Sequence, residues 1–315
     1  MIVMKKYLEN MKHMRETHGC NIFVLCYHKN MSEGVFVVNP VSGGGRAKRA
    51  FLHFRKLLGR QCDVVVSTSK GYLLNEFSKL CSYRKFYVFG GDGTLNEVIN
   101  AIYQCRVRDP IYITVFPSGS GNDFVKSLPY AEFVEFYPGV FRYEEGERYF
   151  LNALGTGLDA YTAYYASDVK GKYLRGIPAY AYGLIKTMIL GASTTSVVDA
   201  SIDIPHSLSL MSFGRGAYVG GGFYLLPHAD VKKKSIAWLV ARYISPFELL
   251  HQIPILFNGE ILHYEKVSYG HANRIDIKLE EPKVFQVDGE IIKGVSQFSV
   301  YTADTPIYIR YIKPL

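Results

Sequence analysis

The sequence predicts an α/β domain followed by a β-rich domain, and three observations support this. The chain has 315 residues, more than one hydrophobic core usually holds. Hydrophobic residues make up 48% and charged residues 20%, as expected for a globular protein with a sizeable core. Strand and helix patterns alternate at first, and from about Glu132 strand patterns follow one another closely. We therefore expect an α/β domain over 34–131 and a β-rich domain over 132–315.

Residues 1–33 form an N-terminal extension to which the sequence assigns no role. They contain several methionines, including Met31 shortly before the first clear strand pattern. A dispensable extension and an additional strand both fit, so both alternatives stay open. The extension lacks the apolar core of a signal peptide. The longest apolar stretch of the chain, AYAYGLIKTMIL, is interrupted by Lys186 and is too short to span a bilayer.

The first domain reads as strand and helix units of a parallel sheet. VFVVNP (35–40) is the first strand, and the helix expected over 46–58 has apolar residues at helical spacing. The later elements follow in order: the strand DVVVST (63–68), the strand and turn KFYVFGGDGT (85–94), the helix TLNEVINAI (94–102), and the strand and loop IYITVFPSGSGND (111–123). Each glycine-rich loop follows a strand, at the edge where open α/β sheets bind ligands beside helix N termini.

The second domain is predicted from short strand patterns separated by turns. These patterns are EFVEFY, VFRYEEGERYFLNAL, TTSVVDASIDI, RIDIKL, KVFQVDGE and IYIRYI. Helical patterns at 179–190 and 246–257 interrupt them. The first of these helices is expected either in the core or along a cleft for an acyl chain.

Charge and cysteine content restrict the partners and the compartment. The net charge of +8 favours an anionic partner, such as a nucleotide, a nucleic acid or an acidic membrane surface. Nucleic acid is not predicted, because the basic residues form no long run and no zinc-finger or RNA-binding motif occurs. The five cysteines are odd in number and include no CxxC pair, so we expect neither a disulfide framework nor a zinc site, and a reducing cytoplasm.

Three glycine-rich loops carry the chemistry of the first domain. NPVSGGGR places Asn39 at a strand end and lets main-chain N–H groups approach an anion, although a tight βα turn explains this loop equally well. In GGDGT, Asp92 offers a carboxylate to magnesium, a ribose or a phosphate-bound water. Thr94 and Glu97 have the spacing of a capping box, which does not explain Asp92. PSGSGNDF adds Ser120. Neither a P-loop nor a G-x-G-x-x-G fingerprint is present.

The blocks NPVSGGGR, GGDGTLNEVIN, PSGSGNDF, NALGTGLDA, GGGFYLLPHA and VDGE occur in the order seen in the diacylglycerol kinase catalytic family, which the chain resembles from about Val35 onward. The resemblance implies an NAD-kinase-like α/β nucleotide-binding domain, a β-sandwich-like lipid-substrate domain and an active site between them. It implies ATP and Mg²⁺ as cofactors. It also implies a cytoplasmic enzyme, peripheral at the inner face of an anionic membrane that carries its lipid substrate, and it leaves a homodimer open.

The resemblance also implies site residues. VDGE supplies the base for the lipid hydroxyl, so the implied catalytic residues are Asp288, Glu290 and Asp92. By itself, DGE is more often a plain hairpin turn, and only its partner motifs favour a functional role. Ser120 stands where the family more often has threonine, which keeps the hydroxyl. The implied nucleotide contacts are Asn39, Pro40, Val41, Ser42, Gly43, Ser67, Thr68, Gly91, Asp92, Gly93, Thr94, Leu95, Asn96, Glu97 and Ser120.

One departure from the family concerns the acidic residues that usually follow GGGFYLLPHA and hold magnesium. Here the chain reads DVKKKS from Asp230 to Ser235. Because a lysine cannot ligate magnesium, the site is lost, rebuilt around Asp230, or replaced by the ammonium groups. We expect Asp230 as a metal ligand. Contact of Lys232, Lys233 and Lys234 with anionic head groups is an alternative to a solvated loop.

Three functional hypotheses follow. The leading one is an ATP-dependent lipid kinase, with diacylglycerol to phosphatidate as the default reaction. The second is an NAD kinase, because that related family also carries GGDGT, although PSGSGND and VDGE argue against it. The third is a non-catalytic nucleotide or lipid sensor, suggested by the lysines at the expected metal site.

Overall fold

A computed structural model describes residues 34–58, 63–169, 173–174, 177–190, 194–245, 248, 251–252 and 254–313. The N-terminal extension lies outside these residues, as does part of the helix predicted at 246–257. Within the described residues, a mostly parallel sheet and an antiparallel sheet are joined in one chain. The predicted α/β domain followed by a β-sandwich-like domain is confirmed.

The first sheet has the order β2-β1-β3-β4-β16-β5. All neighbouring strands are parallel except β16 and β5. The strands are β1 Gly34–Val38, β2 Asp63–Val66, β3 Lys85–Gly90, β4 Tyr112–Pro117, β5 Val134–Phe136 and β16 Ile307–Tyr311.

Helices cover both faces of this sheet, which is why its strands read as continuous apolar runs. On one face, Phe36 and Phe89 pack with Phe51 and Phe54 of the first helix. On the other, Val88 belongs to the same apolar cluster as residues of the third helix. The helices are α1 Arg46–Leu58, α2 Tyr72–Asn75 and α3 Asp92–Gln104.

The second sheet is antiparallel, with the main order β13-β12-β11-β8-β14-β15-β6-β7, and β9 pairs with both β14 and β10. The two patterns RIDIKL and KVFQVDGE form one long strand, β14, whose register shifts between Lys278 and Phe285. The strands are β6 Gly139–Tyr143, β7 Gly146–Phe150, β8 Ala153–Gly157, β9 Thr195–Ala200, β10 Ser207–Leu208, β11 Leu210–Gly214, β12 Ile236–Ala241, β13 Val267–Ala272, β14 Arg274–Val287 and β15 Glu290–Thr302.

The helices of the second half include α4 Leu158–Val169, α5 Ile177–Leu190 and α6 Ile255–Asn258. α5 packs closely on α4 at Gly183. A Cβ at this position would lie only 2.2 Å from the carbonyl oxygen of Thr162. Ile185 and Ile189 of α5 are exposed, so this helix is only partly a core helix. None of the helices in the described ranges is long and apolar enough to cross a bilayer.

The two halves are interlocked through the chain's last strand. β5 and β16 lie beyond the boundary predicted at residue 132, and both pair in the first sheet. β16 lies between β4 and β5, parallel to β4. Its Arg310 is buried, and Nε donates a hydrogen bond to Thr114 Oγ1 at 3.1 Å. The chain therefore leaves the first sheet, builds the second and returns.

A disulfide joins Cys81 and Cys105, whose Cα atoms are 5.3 Å apart. The expectation that the cysteines form no disulfide was wrong for this pair. The two cysteines are separated by 24 residues in the sequence, and no motif marks them. They meet because Cys81 follows the 3-10 turn Phe77–Lys79 and Cys105 caps the C-terminal end of α3.

Candidate active site

A cleft of about 450 Å³ lies where the two sheets meet. Loops at the C-terminal ends of β1, β2, β3 and β4 line one side, and β8, α4 and the β14–β15 turn line the other. Of the predicted nucleotide contacts, Pro40, Leu95 and Asn96 do not line it. Those that do are Asn39, Val41, Ser42, Gly43, Ser67, Thr68, Gly91, Asp92, Gly93, Thr94, Glu97 and Ser120, together with the predicted catalytic Asp288 and Glu290.

The glycine loops form one continuous wall because they touch one another. A Cβ at Gly91 would lie 2.8 Å from Gly119 Cα, and a Cβ at Gly43, where φ is +59°, would lie 1.9 Å from the carbonyl oxygen of Ser118. Arg46 ties two loops together by donating hydrogen bonds to the carbonyl oxygens of Gly43 (3.1 Å) and Gly119 (2.6 Å). Any larger residue at these glycines would separate the loops.

Asp92 holds the next loop in place. One carboxylate oxygen accepts a hydrogen bond from the backbone N–H of Asp123 (3.0 Å), and the other accepts one from Phe124 (3.2 Å). Burial, and then the charge of Asp123, raise the pKa of Asp92. This geometry accounts for the aspartate that the capping motif left unexplained. Its catalytic role stays a prediction.

The predicted capping box at Thr94 and Glu97 was wrong. α3 begins at Asp92, two residues earlier than the sequence indicated, and its N-cap residue Gly91 has no side chain to bond. Thr94 Oγ1 instead accepts a hydrogen bond from Asn39 Nδ2 (3.0 Å), and Glu97 Oε1 accepts one from the backbone N–H of Gly71 (2.9 Å). Both side chains therefore connect loops rather than cap their own helix.

Two acceptor atoms on this wall have no hydrogen-bond partner among the residues that the structure describes. Asn39 Oδ1 and Glu97 Oε2 are buried and unpaired, and both residues line the cleft. Buried polar atoms are nearly always paired, so unpaired acceptors indicate a ligand that carries donors or a cation. Carbonyl and carboxylate oxygens are also the ligands that Mg²⁺ takes. Each of the two atoms is therefore of a type that magnesium takes, in a residue that lines the cleft.

Asp288 lies at the centre of the opposite wall, in the β14–β15 turn, with φ of 47°. One carboxylate oxygen accepts hydrogen bonds from Asn96 Nδ2 (2.8 Å) and the backbone N–H of Leu151 (2.7 Å). The other accepts from the N–H groups of Asn152 and Ala153, both at 3.0 Å. Asn96 belongs to α3, so Asp288 joins the two halves of the molecule. Burial raises its pKa to about 6, although these hydrogen bonds lower it.

Asp159 is a further, partly buried carboxylate that sequence reasoning missed. It lies at the start of α4, lines the cleft and accepts a hydrogen bond from Gln286 Nε2 (2.8 Å). Burial raises its pKa to about 6. Gln286 Oε1 in turn accepts from the N–H of Gly289, which fixes the turn that carries Asp288. The block NALGTGLDA contained Asp159, and its position two residues after a strand glycine was the available signal.

Glu290 reaches across the mouth of the cleft. Its Oε1 atom lies 3.1 Å from Nζ of Lys70, which follows the predicted contacts Ser67 and Thr68 on the first half. Asp123 makes a second connection, because its Oδ2 atom accepts a hydrogen bond from the N–H of Gly221 at 2.6 Å. The cleft is therefore bridged by side chains at both ends.

At Asp230 the surroundings include a buried cation, and the role of Asp230 as a metal ligand stays a prediction. The position is held by the buried guanidinium of Arg215, which donates hydrogen bonds to the carbonyl oxygens of Tyr137 (2.8 Å), Asp230 (3.4 Å), Val231 (3.1 Å) and Ser235. A metal ion would be repelled by this cation. In the part of the chain that the structure describes, no cluster of three His, Cys, Asp or Glu could hold a metal ion.

The lysines of DVKKKS do not replace the metal either. Asp230 Oδ1 accepts a hydrogen bond from the N–H of Lys232 (2.9 Å), which closes the loop on itself. Nζ of Lys234 lies 4.5 Å from the ring centre of Tyr137. Burial lowers the pKa of Arg215 to about 10, which leaves it charged at neutral pH. The cation that binds this loop's backbone is thus Arg215, a residue to which the sequence assigned no role.

Comparison with known proteins agrees with this architecture. Residues 33–138 match the diacylglycerol kinase catalytic domain, and residues 152–302 match the YegS C-terminal NAD kinase beta sandwich-like domain. The two matches follow one another and together cover most of the chain, a diacylglycerol kinase catalytic domain followed by a YegS-type C-terminal domain. The predicted class of enzyme, an ATP-dependent lipid kinase, is therefore confirmed.

Individual relatives of this family are distant in sequence. A protein of Staphylococcus carnosus named "Diacylglycerol kinase" is 28% identical over 224 residues, which cover 66% of this chain and 70% of that protein. A Yersinia pestis protein named "Probable lipid kinase YegS-like" is 25% identical over 216 residues, covering 65% and 71%. A crystal structure of a diacylglycerol kinase from Bacillus anthracis superposes with a TM-score of 0.64 at 18% identity, over 90% of this chain and 98% of that one, which supports the fold.

Proposed function

We propose that this lipid kinase transfers the γ-phosphate of ATP to a hydroxyl of diacylglycerol and yields phosphatidate. The observation that carries the proposal is the arrangement of the cleft: a wall of glycine-loop N–H groups and hydroxyls faces the carboxylate turn at 288–290. A phosphate chain on one side and a proton acceptor on the other are what phosphoryl transfer to an alcohol requires.

The nucleotide lies on the first wall in this proposal. Backbone N–H groups around Gly43 and Gly91, and the hydroxyl groups of Ser42, Thr68 and Ser120, would donate to the phosphate oxygens. Magnesium, when bound with the nucleotide, supplies neutralisation of the phosphate charge, and the unpaired oxygens described above are the atoms that would hold it.

Glu290 is the proton acceptor in this proposal, and Asp288 positions it. The four hydrogen bonds to Asp288 occupy all the lone-pair positions of a carboxylate, so it has none left for a lipid hydroxyl. Glu290 follows two residues later, and among the described residues its carboxylate forms an ion pair with Lys70 through one oxygen. The lipid hydroxyl oxygen bonds to the γ-phosphorus as the bond between that phosphorus and the β,γ-bridging oxygen breaks. ADP leaves, and the hydroxyl proton passes to Glu290.

The lipid acceptor is supported by the family relationship, and the membrane surface by charge. The relative from Staphylococcus carnosus bears the name of a diacylglycerol kinase. The net charge of +8 favours peripheral contact with an anionic bilayer that presents the lipid. Diacylglycerol is thus the acceptor that we propose, at the inner face of the membrane.

The experiment is a transfer assay with purified protein, Mg²⁺ and γ-labelled ATP. Separate mixed micelles contain diacylglycerol, sphingosine or monoacylglycerol, and NAD is tested without lipid. We expect label in phosphatidate. Label only in sphingosine or monoacylglycerol would contradict the substrate, and label only in NAD would contradict lipid phosphorylation.

Variants of the turn test the assignment of roles. Glu290→Gln should lower kcat by about 100-fold or more, because it removes the proton acceptor, and should leave stability unchanged. Asp288→Asn should lower both kcat and the free energy of unfolding, because an amide nitrogen would face backbone N–H donors. If Glu290→Gln and wild type had equal kcat, the proton acceptor would have to be another residue.

A further inference from the structure

The cleft is strongly acidic for a site that binds a polyphosphate. Over the described chain, its lining includes six carboxylates and only one lysine or arginine, Lys70. The carboxylates are Asp92, Glu97, Asp123, Asp159, Asp288 and Glu290. Nearby Arg46 donates to loop carbonyl oxygens and does not line the cleft. Lys126 is paired with Asp123. Of the lysine and arginine residues at the cleft, Lys70 is therefore the one available to bind the phosphate chain directly.

The backbone beside Lys70 is anchored to the nucleotide wall. The next residue, Gly71, has φ of +77° and donates its N–H to Glu97 Oε1 on α3 at 2.9 Å. Preceding residues Ser67 and Thr68 line the cleft with the glycine loops. The side chain of Lys70 is 79% exposed, so its ammonium group can change position without disturbing packing.

The present partner of Lys70 is on the opposite half of the molecule. Its Nζ atom lies 3.1 Å from Oε1 of Glu290, whose side chain is 38% exposed. An exposed ion pair of this kind contributes little stability. The multiply charged terminal phosphate of ATP attracts an ammonium group more strongly than one exposed carboxylate does. Nucleotide binding would therefore draw Lys70 away from Glu290.

We propose that Lys70 is a γ-phosphate-binding residue that also controls Glu290. Before ATP binds, Lys70 holds Glu290 in an ion pair across the cleft. When ATP binds, Lys70 moves to the terminal phosphate and releases the Glu290 carboxylate for the acceptor hydroxyl. The γ-phosphate is the target because Glu290 belongs to the half that faces the acceptor. This inference rests on the proposed function, and it adds the order of events: ATP binding activates the base.

Calorimetric titration of the full chain with ATP and with ADP, in Mg²⁺ and without lipid, tests this proposal. Lys70→Met should weaken ATP binding about tenfold and ADP binding less than about twofold, because only ATP carries the phosphate that loses a charge-assisted contact. Lys70→Arg should retain most of the ATP affinity. The matched control is Lys79→Met, because Lys79 is also an exposed lysine paired with a glutamate, Glu76, but lies outside the cleft lining.

The ATP affinity of the Glu290→Gln variant distinguishes the proposed role of Lys70 from a merely structural one. Removing the competing carboxylate should tighten ATP binding by about two- to fivefold, and this gain should disappear when Lys70→Met is also present. Unchanged ATP affinity in Lys70→Met, or weaker ATP binding in Glu290→Gln, would overturn the proposal and leave the proposed function standing. If wild-type protein fails to bind ATP at all, the proposed function and this inference both fall.

Discussion

Among single residues, Asp159 shows how partial burial in this cleft raises the pKa of a carboxylate. Its pKa rises from 3.8 to about 6 through burial, and its one hydrogen bond, from Gln286, only partly compensates. The folded chain therefore binds an additional proton between about pH 4 and 6. Because the folded pKa lies above the unfolded value, the stability contributed by this proton is present at low pH and is lost as pH rises through about 6.

We predict that Asp159→Asn stabilises the protein at pH 7.5 by about 1–2 kcal/mol, since the partly buried charge is removed and the amide oxygen still accepts from Gln286. At pH 4 the gain should vanish, because the wild-type carboxylate is then protonated. Urea unfolding at both pH values measures this difference. The same gain at pH 4 and pH 7.5 would show that the charge is not its source.

Arg215 supports a different prediction, since its fully buried guanidinium gathers four backbone carbonyl groups. Arg215→Met should lower the free energy of unfolding by about 3–5 kcal/mol, because those carbonyl groups lose their donors. Arg215→Lys should recover less than half of that loss, since one ammonium group cannot reach all four. Thermal unfolding with and without EDTA provides the control. A lower midpoint in EDTA would indicate that a metal, rather than Arg215, holds this loop.

The site residues fall into two groups, according to the sequence separation between each residue and the groups that it contacts. Asp92 and Asp288 were identified as site residues because each lies in a short glycine-containing block that resembles a block of the kinase family. Asp159, Lys70 and Arg215 were not, because their environment is made by distant residues. Arg215, for example, binds carbonyl groups on both sides of it, from residue 137 to residue 235. No local pattern encodes such contacts.

At the scale of elements, hydrophobic periodicity predicted the presence of helices and strands well. The residues expected to cap or end an element predicted its bounds poorly. The helical spacing of Phe51 and Phe54 predicted α1 with the bounds that the structure shows. α3 began earlier than expected, because the hydrogen bonds of Thr94 and Glu97 go to other loops rather than to their own helix end. The two strand patterns before residue 288 merged into β14, since a register shift accommodates the irregular residues between them.

The disulfide that joins the Phe77–Lys79 turn to the end of α3 gives a prediction for these elements. Cys105→Ser should lower the free energy of unfolding by about 3 kcal/mol, because a cross-link over 24 residues restricts the unfolded chain. Cys81→Ser should give the same loss, and the double variant should lose no more than either alone. Urea unfolding with and without a reductant measures this. A reductant that destabilises Cys105→Ser as much as wild type would contradict the role of this bond.

For the whole molecule, several connections cross between the halves, among them β16 in the first sheet, Asn96 with Asp288, Asp123 with Gly221, and Lys70 with Glu290. We predict a single cooperative unfolding transition rather than one transition for each half. Trp238, the one tryptophan of the chain, lies in β12 and reports on the second sheet by fluorescence. Far-UV circular dichroism reports on both halves. The two urea curves should coincide, and separated midpoints would show that the halves unfold independently.

The position of β16 has a consequence for the order in which the protein is made. β1 to β4 are complete once Pro117 has been synthesised, but the strand that pairs with β4 starts at Ile307, and 307 − 117 gives 190 residues of delay. During that interval β4 presents an unpaired strand edge to the cell, and such edges promote association between chains. A nascent chain therefore carries this unpaired strand edge while those 190 residues are synthesised. This is the interval in which a ribosome-associated chaperone would most reduce association between chains at the edge of β4.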